Sequence, residues 1–255
     1  MYKILANTTF LGKSVIYLPS CHSTNAYASD LVGKGVAENG FIVITDHQTR
    51  GKGQQGNVWE AEPDRNLTFS FVLQPENLPA NKQFDLNMFT TLGILDFLKG
   101  YQNISVKIKW PNDIYYHNQK ICGILIANMV SGKMITDSVI GIGLNVNQRI
   151  FSVPEAVSMY MITGREYKLP VILEGLVLCI EKRILQYLKG GDLRADYLNN
   201  LFGLNEKRKF MRVKTGEVFI GQIKGIDQAG RLRVVENNVE HTFDFQEIKF
   251  LNIDV

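Results

Sequence analysis

Lys109-Trp110-Pro111-Asn112-Asp113 sets a cation, an amide and a carboxylate within five residues, at the end of an alternating apolar run. A lysine at such a corner can neutralise phosphate oxygens as a point charge. Asn112 can read a base edge or a ribose through its donor and acceptor, and Asp113 can help hold a magnesium ion through its oxygens. The pentapeptide alone also suits a structural turn after an edge strand, stopped by Pro111. A second stretch with chemistry is Thr49-Arg50-Gly51-Lys52-Gly53-Gln54-Gln55-Gly56-Asn57-Val58-Trp59, which follows the apolar run Phe41-Ile42-Val43-Ile44. Its glycines let the backbone approach a ligand closely, and successive N–H groups can cradle an anion. Arg50 and Lys52 add mobile positive charge. A solvated surface loop is the plain alternative. Two familiar phosphate loops do not fit: Gly51-Lys52 is followed by Gly53 where a P-loop has Ser or Thr, and Gly56-Asn57-Val58-Trp59 is a poor helix start.

The elements that must position these stretches are legible from periodicity. Val15–Leu18 and Phe41–Ile44 read as strands, and Leu67–Leu73 as a strand with one well-buried face. Ser23 or Thr24 is a suitable N-cap for a helix that stops at Gly33. Phe84, Met88, Leu92 and Leu95 recur at helical spacing up to Gly100, a stripe read as core. Ile104, Val106, Ile108 and Trp110 alternate with Ser105, Lys107 and Lys109. Asp113–Tyr116, a turn at His117-Asn118-Gln119, Lys120–Ala127, a turn at Ser131-Gly132-Lys133, and Met134–Gly143 complete an antiparallel meander. Pro170 opens a helix with Leu173, Val177, Ile180, Ile184 and Leu188 on one stripe, closed by Gly190-Gly191. Asp192 suits the cap of a shorter helix through Phe202. From Lys207 short alternating segments recur about every ten residues, the texture of a small all-β barrel. The expected domains are 1–205 and 206–255.

Composition sets broad bounds. The 255 residues are 45% apolar and 21% charged, enough for a globular core. A net charge of +3 without a dense Lys/Arg run gives no argument for nucleic acid. Cys21, Cys122 and Cys179 are odd in number and widely spaced, which suits free thiols in a reducing compartment. His22, His47, His117 and His241 lack metal-ligand spacing. Met1-Tyr2-Lys3-Ile4-Leu5 is no secretory signal, and no apolar run nears the ~20 residues of a membrane span. The expectation is a soluble cytoplasmic protein with neither membrane nor nucleic-acid partner.

Five motifs together resemble the biotin protein ligase family: Ser23-Thr24-Asn25 followed by Gln48; Gly51-Lys52-Gly53-Gln54-Gln55-Gly56; Lys109–Asp113; Lys120-Ile121-Cys122-Gly123-Ile124-Leu125; and Gly141-Ile142-Gly143-Leu144-Asn145-Val146-Asn147. They occur in the family's order over residues 15–150. The resemblance implies an α+β fold: a mixed, mainly antiparallel sheet with helices packed on it, of class II synthetase type, plus a small C-terminal SH3-like barrel. It implies an ATP-dependent ligase that forms biotinyl-5′-AMP and passes biotin to a lysine of a biotin carboxyl carrier domain. ATP and magnesium would be co-substrate and activator and biotin the substrate, with no tightly bound cofactor. Ser23, Thr24, Asn25 and Gln48 would line the biotin site, with Lys52, Gly53 and Gln54 closing over it. Lys120 would meet the biotin carboxylate. Gly51, Gly56, Asn57, Trp59, Lys109, Asn112, Asp113 and Asn145 would serve ATP and the adenylate, and Asp113 magnesium. The catalytic cations would be Lys120, Lys109 and Lys52. Trp59 and Ile124–Ile126 would build pocket walls.

Two departures stand out. The family loop often reads Gly-Arg-Gly-Arg-x-Gly-Arg; here Lys52, Gln54 and Asn57 hold the arginine positions, so three cations become one. The Gly123–Ile126 strand usually runs on to an acidic residue, and Ala127 stands there. That change is either neutral drift or the loss of a carboxylate that oriented a lysine. Rival readings are a lipoate or octanoate enzyme of the same superfamily, a biotin-responsive DNA-binding repressor, and a catalytically weakened adenylate binder. The Lys109–Asp113 corner argues against the first. The catalytic motifs begin by Ser23 and leave no room for the DNA-binding segment of the second. Exposed edge strands would suit pairing with a second copy, as a homodimer, or with the carrier.

Overall fold

The computed structural model describes residues 7–51, 53 and 58–251. Their elements run β1 (Val15–Cys21), α1 (Thr24–Gly33), β2 (Ile42–Gln48), β3 (Leu67–Leu73), β4 (Leu78–Pro79), α2 (Phe84–Lys99), β5 (Val106–Lys109), β6 (Asp113–Tyr116), β7 (Gln119–Ser131), β8 (Met134–Leu144), α3 (Met159–Thr163), α4 (Leu169–Leu188), α5 (Arg194–Asn199), then β9 (Lys207–Arg212), β10 (Val218–Ile226), β11 (Leu232–Glu236), β12 (Val239–Phe243) and β13 (Ile248–Leu251). Eight strands form one sheet in the order β1-β2-β3-β8-β7-β6-β5, with β4 paired to β8. The pair β1–β2 is parallel and the other pairs are antiparallel. The last five strands form a second sheet, β12-β11-β10-β9-β13. This is the expected α+β class with a C-terminal β domain.

Alternation along the central strands assigns a different partner to each face. Ile42, Ile44, Phe69, Phe71, Ile140 and Ile142 point into the main core with Leu92, Phe89, Leu176 and Ile180 of α2 and α4. Val43, Val72 and Val139 point the other way, against Ala28 of α1. All seven residues of β3 are buried, because both of its faces are covered. Farther along the same second face stand Thr68, Ser70, Gly141 and Gly143. There the first turn of α1 touches Ser70, Trp59 lies against Gly143, and the cavity described below opens beside them.

Local signals behave as their chemistry demands. Ser23 adopts extended backbone and its Oγ accepts from Ala26 N, so it caps α1. Pro170 occupies the first turn of α4, where its missing N–H costs nothing. Asn237 and Asn238, both at positive φ, join β11 to β12 as a two-residue hairpin. Asp192 differs from expectation: Leu193 is the N-cap of α5, and Asp192 Oδ1 instead accepts from Arg194 N at 2.8 Å. The cap-type side chain of Asp192 suggested a start one residue too early, and α5 ends at Asn199, short of the expected Phe202.

Candidate active site

The cavity on the open face holds about 200 Å³. Ser23, Thr24 and Asn25 enter it from the start of α1, Gln48 from the end of β2, and Thr68 from β3. Gly123 and Leu125 of β7 and Gly141 and Gly143 of β8 form its floor; Gly53, Val58 and Trp59 come from the glycine loop. Asp113, Lys120, Ile124 and Ile142 complete the lining.

One end is a hydroxyl and amide network. Gln48 Oε1 accepts from Thr24 N at 2.8 Å and from Thr24 Oγ1 at 3.2 Å, and Thr24 Oγ1 lies 2.8 Å from Ser70 Oγ. Asn25 Nδ2 donates to Leu125 O at 2.9 Å, which ties α1 to β7. Small polar groups in fixed directions suit a compact, uncharged ligand portion with its own donors and acceptors.

The other end carries charge. Lys120 Nζ sits 2.7 Å from Asp113 Oδ1, with both side chains about 30% exposed at 32% and 28%. The Lys120 backbone is gripped by the segment after β8: its N–H donates to Glu155 O at 2.6 Å and its carbonyl accepts from Val157 N at 3.0 Å. Lys109 lies opposite Asp113 in the β5–β6 register. Its Nζ donates to Tyr115 Oη at 3.2 Å, and burial pulls its pKa below the usual lysine range. Asp113 is the acidic side chain of the lining, and among the described residues no three His, Cys, Asp or Glu cluster as a metal site. A single carboxylate suits magnesium only where substrate phosphates supply further oxygens.

Trp59 forms a wall by touching two glycines. A Cβ on Gly143 would stand 2.3 Å from Trp59 Cε2, and one on Gly123 would stand 3.0 Å from Trp59 Cζ3. Lys120 Nζ lies 5.8 Å from the Trp59 ring centre. Trp59 Nε1 is buried without a hydrogen-bond partner among the described residues. The loop closes on itself through Trp59 N to Gly51 O at 3.1 Å. A Cβ at Gly51 would meet that same tryptophan's carbonyl at 2.4 Å, so only glycine fits.

The structure therefore gathers Ser23, Thr24, Asn25, Gln48, Gly53, Trp59, Asp113 and Lys120 around one cavity, with Gly51 pinned at its rim and Lys109 beside it. Asn112 and Asn145 do not line it. Asn112 is 3% exposed and its Nδ2 donates to Asn87 Oδ1 at 3.0 Å and to Ile124 O at 3.3 Å, on the α2 side of the sheet. Asn112 sits in the turn before β6, which directs its side chain toward Asn87 of α2 while Asp113 lines the cavity. Asn145 Nδ2 donates to Val157 O at 3.1 Å and to Lys120 O at 3.4 Å, while its buried Oδ1 has no partner among the described residues. It braces the backbone of Lys120. Ile126 lines a separate cavity on the α2 side with Asn87, Asn112 and Phe245. Lys52, Gln54, Gly56 and Asn57 lie outside the described residues. Sequence reasoning missed Thr68, Ser70 and the floor glycines. Their signal was present: Gly-Ile-Gly-Leu inside a strand alternates no side chain with a large one, which marks close approach on one face.

A family model for biotin/lipoate A/B protein ligases matches residues 17–145. The chain is 29% identical to the bifunctional ligase/repressor BirA of Bacillus spizizenii over 231 residues, covering 88% of this chain and 70% of that protein. It is 28% identical to a biotin–[acetyl-CoA-carboxylase] ligase of Mycobacterium tuberculosis over 215 residues, covering 82% of this chain and 79% of the other. A biotin protein ligase of Aquifex aeolicus, solved with biotin and ATP, superposes with a TM-score of 0.77 at 23% identity, covering 94% of this chain and 100% of that one. The likeness of fold runs nearly end to end, and the family model covers just over half of the chain and every strand that lines the cavity. This chain belongs to the biotin/lipoate A/B protein ligase family.

Proposed function

We propose that the chain is an ATP-dependent biotin protein ligase. The observation that carries this reading is the pairing, in one cavity, of the Thr24, Asn25 and Gln48 hydrogen-bonding groups with the Lys120–Asp113 ion pair. In the first step a carboxylate oxygen of biotin attacks the α-phosphorus of ATP. The bond from that phosphorus to the bridging oxygen breaks, and pyrophosphate leaves. In the second step the amine of a carrier lysine attacks the acyl carbon, AMP leaves, and the amine sheds a proton. Two anions must meet in the first step, so the enzyme's task is placement and neutralisation. No enzyme nucleophile takes part.

In this reading Ser23, Thr24, Asn25 and Gln48 hold the ring end of biotin, with Gly53 and Trp59 covering it. Lys120 exchanges its bond to Asp113 for the biotin carboxylate and the α-phosphate. Lys109, on the same face, neutralises phosphate oxygens. Asn145 acts through the backbone of Lys120. Asp113, released by Lys120, would hold magnesium together with phosphate oxygens, and the ion would supply further charge neutralisation. Lys52, Gln54, Gly56 and Asn57 belong to the loop that shields the adenylate from water. The partner is a biotin carboxyl carrier domain of a biotin-dependent carboxylase. Three free cysteines suit a cytoplasmic setting. Beyond Cys122, β7 has no strand on its β6 side among the described residues, an edge that suits a second copy.

The test is a competition. The purified chain is mixed with ATP, magnesium and equimolar biotin, lipoate and octanoate, and the adenylate is identified by mass spectrometry. Biotinyl-adenylate alone is expected. Lipoyl- or octanoyl-adenylate would overturn the substrate assignment, and no adenylate at all would overturn the reaction.

A further inference from the structure

We propose that Phe250, on the C-terminal sheet, is a positioning residue for Lys109 and brings that sheet into the ATP-dependent step. The proposal rests on the reading of Lys109 as a group that meets ATP phosphates. Lys109 Nζ stands 4.4 Å from the ring centre of Tyr115 and 5.3 Å from that of Phe250. Asp113, its register partner, bonds Lys120 instead. The Lys109 ammonium has thus given up much of its water for one phenol oxygen and two ring faces. Such faces hold a cation without neutralising it, so its charge stays available to phosphate.

A lysine stem has four rotatable carbons and keeps a direction only where its surroundings impose one. Tyr115 is locked from behind by Phe202, whose ring centre lies 6.0 Å away, with Arg208 4.4 Å over Phe202. Phe250 closes the other side. With that side open, Lys109 is free to swing into solvent or toward Asp113, where it would compete with Lys120.

The backbone of the same corner is held independently of Phe250. Trp110 Nε1 donates to Gly230 O at 2.8 Å, and its ring lies 5.4 Å from Phe245. Tyr197 Oη donates to Pro111 O at 2.8 Å. Three consecutive residues, Lys109, Trp110 and Pro111, are therefore fastened by groups beyond residue 190, and only the Lys109 contact involves Phe250. A change at Phe250 acts on the ammonium and leaves the corner's path alone.

The experiment uses the full chain carrying Phe250→Leu. Three quantities are measured: KM for ATP, biotin affinity by calorimetry, and transfer to an acceptor domain from biotinyl-adenylate supplied ready-made. A five- to tenfold rise in KM for ATP is expected, about the worth of one partly desolvated cation–ring contact. Biotin affinity and transfer should stay within about twofold, Phe250→Tyr should restore KM, and Phe250→Leu should add nothing in a Lys109→Met background. Phe219→Leu thins the same aromatic cluster, since Phe219 and Phe250 both pack on Phe210. If it raises KM equally, or if all three quantities worsen together, Phe250 serves packing only and the proposal falls. It also falls if Lys109→Met raises KM for ATP while Phe250→Leu does not. If Lys109→Met leaves KM unchanged, the fault lies in the reading of Lys109 itself.

Discussion

Adding one methyl group to the cavity floor should weaken ligand binding while sparing the fold. In Gly143→Ala the new Cβ would stand 2.3 Å from Trp59 Cε2 and 2.6 Å from Cζ2 and Nε1. Carbon atoms rest at ~3.5–4.0 Å, so the ring must retreat by about 1.2–1.7 Å. The backbone of Gly143 cannot share that movement, because β8 is paired on both sides, to Thr68 and to Gly123. Overpacking by a methyl group costs ~1–3 kcal/mol. The strain falls on the wall of the cavity, so most of it should appear in binding. At tenfold per ~1.4 kcal/mol, biotin affinity should fall about 5- to 150-fold. Calorimetry with biotin gives the affinity, and urea unfolding of the free variant reports the stability. Gly33→Ala is the control, since a Cβ there meets nothing within 4 Å. Unchanged biotin affinity in Gly143→Ala would refute the account of Trp59 as the wall that packs on the floor glycines. A large loss of folding stability with wild-type affinity would refute the claim that the strain stays local.

Other outcomes follow from separate parts of the molecule. Lys120→Gln should cut biotinyl-adenylate formation at least ~100-fold, read by pyrophosphate release, because a neutral amide cannot offset two approaching anions. Glu181 is 2% exposed and accepts from Thr9, Phe10 and Leu11 N–H at 2.7, 2.7 and 2.8 Å. Glu181→Gln replaces one acceptor oxygen by a donor facing donors, and should cost ~2–3 kcal/mol in urea unfolding with an unchanged slope. Cys122 is fully buried, and burial raises its thiol pKa, so the thiolate is disfavoured. It should resist iodoacetamide at pH 8 in the native chain and react in urea. In the glycine loop, Gln54→Arg should slow adenylate dissociation about fivefold, since a charge-assisted bond exceeds a neutral one by ~1 kcal/mol; an unchanged rate would sink that argument.

Much of the architecture was readable because apolar spacing is a local property. The stripe Phe84–Leu95 and the continuous run of β3 each had one stable way to bury themselves, and they took it. The chemistry-bearing types were equally plain: a lysine, an amide and a carboxylate at one corner, and hydroxyls at the cap of α1. Ser23 shows how two readings can both hold, since its hydroxyl caps the helix and lines the cavity. Spacing along the chain could not say which of these groups would meet. That depended on which sheet face was left open, and α1 covers only part of one face while α2 and α4 cover the other. Hence Asp113 reaches the cavity and Asn112, its neighbour, is buried against α2. Hence too Gly143, featureless as a letter, becomes a floor shaped to a tryptophan more than eighty residues earlier, and Gly141 one shaped to Asn25 of α1. The sequence by itself determined the strands, the helices and the inventory of reactive groups. The choice of which groups converge, and the hold of the C-terminal sheet on Lys109, belonged to the tertiary structure, because both depend on contacts between segments distant in the chain.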